Sequence, residues 1–157
     1  MEKPKLSLAV VMQRRRIVNR WESEMWEPWA VLPGPRAEAG RQLLREDGVM
    51  QQWLHGGFEL VLHRDELEGY YLNVSSEHPK VFVLWLSDDG ESRPLQLTVS
   101  FHEASRWMDA GNAVEGVAMP AEVFAWVGKY VEQNYRPEPE KRIKPRSFLP
   151  PKDRAAR

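Results

Sequence analysis

The chain has 157 residues, 42% hydrophobic and 29% charged, the size and balance of one folded domain. It has no cysteine, which excludes disulfides, a thiol nucleophile and thiolate-held metal centres, and no apolar run near the roughly 20 residues that cross a bilayer. The net charge of −1 hides an asymmetry: from Arg136 onward there are eight Lys/Arg against three Asp/Glu, so an acidic body precedes a basic tail.

In chain order, residues 6–13 are an apolar run suited to a largely buried strand, and Arg14-Arg15-Arg16 carry it out to solvent. The polar residues after the triple arginine do not suit an export signal, and a cytoplasmic location is expected. Residues 26–32 read as a short strand made irregular by Pro28, which has no N–H to give a ladder, and Pro33-Gly34-Pro35 stops it. Residues 37–46 hold helix formers but suit a loop equally. Residues 49–55 and 58–63 read as two strands, with Gly56-Gly57 between them as a two-residue hairpin signal. Strands are expected at 70–74, at 81–86 (apolar on both faces, hence central) and at 95–99, with Asp88-Asp89-Gly90 as a turn.

Two helices follow. Ser100-Phe101-His102-Glu103 matches a capping box, opening a helix to about Ala110 that Gly111 ends. Residues 114–118 suit a short extended piece. Pro120 then opens a helix whose apolar positions Val123, Trp126, Val127, Tyr130 and Val131 follow the i, i+3, i+4, i+7, i+8 spacing of one face. The pattern predicts an α+β domain over 1–135: a curled antiparallel sheet or partial barrel of about six to seven strands with two C-terminal helices. Residues 136–157, rich in proline and charge, read as a disordered basic tail.

Candidate sites are few. Trp21, Trp26 and Trp29 crowd a segment beside Arg14, Arg15, Arg16 and Arg20, and Trp with Arg is the composition of interface hot spots. Partner binding is expected there, against the plainer reading that the tryptophans plug the end of a sheet and the arginines are a solvated strand exit. Lys141, Arg142, Lys144 and Arg146 offer a second contact in the tail. The acidic body and the single tail ring, Phe148, argue against nucleic acid as its target. His63 with Glu66 or Glu68 gives an alternative, a His/carboxylate site in a small-molecule-binding barrel or hydrolase, though a polar connection between strands explains the same residues. No pair of histidines has metal-ligand spacing, there is no Gly-rich phosphate loop, and no cofactor is expected.

Several stretches resemble an uncharacterised proteobacterial family encoded beside molybdenum-dependent formate dehydrogenase genes. They are Val11-Met12-Gln13-Arg14-Arg15, Asn19-Arg20-Trp21, Trp26-Glu27-Pro28 and Val31-Leu32-Pro33-Gly34. Leu62-His63-Arg64, Tyr71-Leu72-Asn73-Val74-Ser75-Ser76 with Pro79, and Val81-Phe82-Val83 follow. Met108-Asp109-Ala110-Gly111, Val117-Ala118-Met119-Pro120 and Trp126-Val127 complete the set. The likeness covers about residues 6–135; Phe101-His102 replaces a Pro-containing helix start, and the acidic run after Gly111 is thin. The resemblance implies no catalytic residue. Its gene neighbourhood implies a non-enzymatic accessory role in making, maturing or regulating formate dehydrogenase, with that enzyme or its maturation factors as protein partner.

Overall fold

The computed structural model describes residues 2–16, 24–34, 40–88 and 90–136. Among these residues, seven strands and three α-helices run in the order β1 (Lys5–Arg16), β2 (Glu24–Pro33), β3 (Gly40–Glu46), β4 (Met50–Val61), α1 (Leu67–Val74), β5 (Lys80–Asp88), β6 (Glu91–Thr98), α2 (Phe101–Asp109), β7 (Ala113–Ala118), α3 (Ala121–Asn134), with a 3-10 turn at Arg64–Glu66 before α1. The strands form two antiparallel sheets, β2-β1-β4-β3 and β6-β5-β7, rather than one curled sheet, and they do not close into a barrel.

One core joins both sheets with α1 and α3. Leu8, Val10 and Met12 from β1 meet Val81 and Val83 from β5, Tyr70 from α1, and Val123, Val127 and Val131 from α3. Burying each such side chain is worth about 1.5–3 kcal/mol. The alternate residues of β1, Ala9 and Val11, are also buried, in a second cluster with Leu54 on the other face. That is why residues 6–13 read as a continuous apolar run rather than an alternating one.

Three expectations change. Gly56-Gly57 does not turn the chain: β4 runs straight through it. Leu8 pairs with Phe58 and Val10 with His55, so β4 carries one extra residue there, and Gly57 has φ +87°. A G1 bulge and a hairpin turn both need a left-handed glycine, so the same dipeptide serves either. Residues 70–74 are helical, not extended, because α1 docks Tyr70 and Asn73, one turn apart, into the interior and leaves Tyr71 and Leu72 outside. Residues 40–46 form β3, whose ladder to β4 overrides its helix-forming composition.

The C-terminal helices form as read. Ser100 Oγ accepts the Glu103 N–H at 3.1 Å, and Gly111 at φ +91° closes a Schellman motif, with Gly111 N–H on Met108 O and Asn112 N–H on Trp107 O. The capping box is only half made: the Ser100 N–H goes to Thr98 Oγ1 at 3.1 Å instead of to Glu103. Pro120 stands as the N-cap of α3. No helix among the described residues is long and apolar enough to cross a membrane.

Candidate functional site

The segment 24–33 that holds Trp26 and Trp29 is the edge strand β2, and its bulge separates the fates of the two rings. Val11 pairs with Ala30 but Met12 pairs with Pro28, which leaves Trp29 as the residue without a ladder partner. A bulge re-aims a side chain, and Trp29 is thrown outward, 54% exposed, with Met25 also exposed on the same strand. Trp26 instead turns inward against the main core, and its indole N–H donates to the Gly90 carbonyl at 3.2 Å. It ties the β5–β6 turn to the first sheet and belongs to the scaffold as much as to any surface.

The arginines are partly occupied by β2. Arg14 pairs with Glu24 at 3.3 Å and lies 6.0 Å from the centre of the Trp26 ring, while Arg15 pairs with Glu27 at 3.0 Å. Such half-exposed pairs contribute only a fraction of a kcal/mol to stability, but they hold the side chains in place. Arg16 is exposed at the strand end, its N–H bonded to Val49 O. Arg20 and Trp21 lie outside the described residues, as do Lys141, Arg142, Lys144 and Arg146 and all of the basic tail except Arg136.

The His63/Glu66/Glu68 set is divided. Glu66 accepts the Ser100 hydroxyl at 2.5 Å and pairs with Arg106, and Glu68 meets His102 Nε2 at 3.0 Å. Both carboxylates therefore reach from the start of α1 to α2 and fasten the two helices together. The His63 main-chain N–H donates to the buried Tyr70 hydroxyl at 2.9 Å, and burial pushes that phenol well above its ordinary range, so it stays protonated. Among the described residues no three His, Asp or Glu side chains gather as metal ligands.

Sequence reading missed this carboxylate–serine–arginine link, because Glu66 and Ser100 are 34 residues apart. It also missed the cleft beside His55. Arg41 lies over the Trp53 ring, 3.8 Å from its centre, and pairs with Glu91, enclosing His55, whose Nε2 is buried without a hydrogen bond. The only sequence signal was the Arg/His/Trp alternation on facing strands, visible once β3 is paired to β4.

Together these features define an α+β protein of two stacked antiparallel sheets whose one markedly exposed tryptophan among the described residues sits on an edge strand. The chain belongs to the family described as Protein of unknown function (DUF3305), whose model matches residues 7–144. No curated protein and no solved structure matches it.

Proposed function

We propose that the chain is a non-enzymatic accessory protein of a formate dehydrogenase system that works by binding another protein through the β2 edge. Trp29 carries the proposal: it is a large aromatic side chain held outside the ladder by a bulge, on the same edge strand as exposed Met25, which pairs with Arg15. An exposed aromatic with few rotatable bonds loses little conformational entropy on docking and gains a large apolar burial. Arg16 is exposed at the end of the neighbouring strand, and Arg20 and Trp21, the other residues expected to bind a partner, lie outside the described residues. The formate dehydrogenase assignment rests on the family resemblance.

The test is recovery of the tagged full-length chain from its native host, with identification of what comes with it. Formate dehydrogenase subunits or their maturation proteins are expected. Replacing Trp29→Ser together with Met25→Ser is expected to cut recovery by about tenfold or more, the equivalent of roughly 1.4 kcal/mol, with the thermal midpoint unchanged. Absence of those proteins from the wild-type eluate overturns the accessory role, and unchanged recovery by the double variant overturns the β2 surface.

A further inference from the structure

Polar groups tie the two sheets together at the β5–β6 turn. Among the described residues only one ion pair joins a residue of the first sheet to a residue of the second: Arg41 of β3 with Glu91 of β6. From the opposite edge of the first sheet the Trp26 indole N–H reaches the Gly90 carbonyl of the same turn at 3.2 Å. Two edge strands therefore grip one turn, β3 through a charge pair and β2 through a neutral hydrogen bond.

His55 stands beside the charged grip. It is the ladder partner of Arg41 on one side and of Val10 on the other, so the three side chains leave the sheet on one face, and Val10 belongs to the core between the sheets. A cleft of about 250 Å³ lies there, lined by Arg41, His55, Asp88, Glu91 and Arg93. His55 Nε2 is buried in it with no hydrogen-bond partner. A proton on the ring makes both nitrogens donors, so Nε2 then requires an acceptor, and Arg41 becomes a like charge next to it. Asp88 has Arg93 at 3.9 Å, and Asp89 lies outside the described residues. Burial and Arg41 both oppose the proton on His55, and Glu91 is the group that favours it.

We propose that Arg41, His55 and Glu91 are a proton-operated latch: a proton on His55 draws the Glu91 carboxylate from Arg41 onto Nε2, and β3 is released from the β5–β6 turn. The latch is independent of the β2 surface. One carboxylate serves one of two cations, so the protein has two arrangements, and the proton selects between them. In the second the turn is held to β4 through His55 and still to β2 through Trp26, so the change is confined to the β3 edge. Arg41 then leaves the Trp53 ring for water, which its side chain already meets, being 40% exposed. β3 is suited to such a release: it is an edge strand, exposed along most of its length and paired only with β4 among the described residues.

The test is a pH titration of the full-length chain followed by NMR. Above about pH 7 the Arg41 δ-protons are expected upfield, in the ring current of Trp53, whose centre lies 3.8 Å from the Arg41 guanidinium carbon. Below about pH 6.5 they are expected to lose that displacement with the same midpoint as the His55 ring signals. The Trp26 indole N–H signal is expected to stay in place throughout and to report that the turn and the fold are intact. His55→Phe is expected to keep the Arg41 displacement into acid. Glu91→Gln, a change at an exposed side chain, is expected to lower the His55 midpoint, because the acceptor has lost its charge. Arg41 signals that stay put while His55 titrates overturn the latch. So does a displacement lost equally in His55→Phe, and so does loss of the Trp26 signal at the same midpoint, which would make the event unfolding. A His55 midpoint that does not fall in Glu91→Gln overturns Glu91 as the acceptor.

Discussion

Gly69 shows how far one atom decides a position. It lies buried in α1, and a Cβ built there would collide with Ser100 Oγ and stand 3.2 Å from the His102 main-chain nitrogen. Ser100 has no room to yield: it is fully buried, caps α2 and donates its hydroxyl to Glu66. The ordinary rule that alanine outranks glycine in a helix by up to about 1 kcal/mol is therefore reversed. Gly69→Ala is expected to destabilise the chain by about 1–3 kcal/mol, the usual cost of overpacking. Gly128→Ala in α3, where an added Cβ meets nothing within 4 Å, is expected to stabilise it by about 0.5–1 kcal/mol. Urea titration of the two variants checks the opposite signs, and a stabilised Gly69→Ala would refute the close α1–α2 contact.

At the scale of elements, legibility followed the range of the forces. Residues 101–109 and 121–134 are helical for local reasons, an N-cap serine, a left-handed Gly111 and a 3.6-residue apolar repeat, and they were readable. Residues 80–88 were readable from their two-sided apolarity. The 67–74 helix was not, because what holds it is distant. Asn73 is fully buried, donates to Lys80 O at 2.7 Å and Val99 O at 2.9 Å, and accepts the Lys80 N–H at 2.9 Å. It replaces the strand ladder that the aromatic run 70–74 suggested. Of the expected contact surface, Trp29 was legible as an aromatic beside proline, but the inward turn of Trp26 depends on Gly90, 64 residues away. Asn73→Leu, close in volume, takes the partner from the buried Val99 carbonyl, at about 1–3 kcal/mol, and from the partly buried Lys80 N–H and carbonyl, at less. It is expected to lower the urea midpoint more than Asn134→Leu, whose exposed-side bond to Arg64 water can replace. Equal effects would remove Asn73 from its role as the clamp between α1, β5 and β6.

The whole molecule carries the pH dependence, because the groups concerned are set by how the two sheets face each other. Burial of the His55 ring, with Arg41 adjacent, holds its pKa below the ordinary imidazole value, while Glu91 acts weakly the other way. Asp88 and Arg93 complete the charged groups around the cleft. A folded-state value below the unfolded one means that the unfolded chain takes up the proton first. Stability is then full above about pH 6.5 and falls as the pH drops through that value. Asp47, whose carboxyl accepts the Val49 and Met50 N–H groups and is held low by them, adds a separate loss only below about pH 4. On the alkaline side the raised Tyr70 phenol binds its proton more tightly folded than unfolded, so stability falls as pH rises above about 10. The expected profile of urea midpoints is flat from about pH 7 to 9, with a decline setting in below about 6.5 that His55→Phe removes while the alkaline decline persists. Tyr70→Phe is expected to do the reverse, reducing the fall above about pH 10 to the part left by Tyr130, whose phenol burial also raises, at the cost of a lower plateau, since the His63 N–H loses its acceptor. An acid decline that survives His55→Phe unchanged would place the proton uptake elsewhere and break the link between the cleft and the stacking of the sheets.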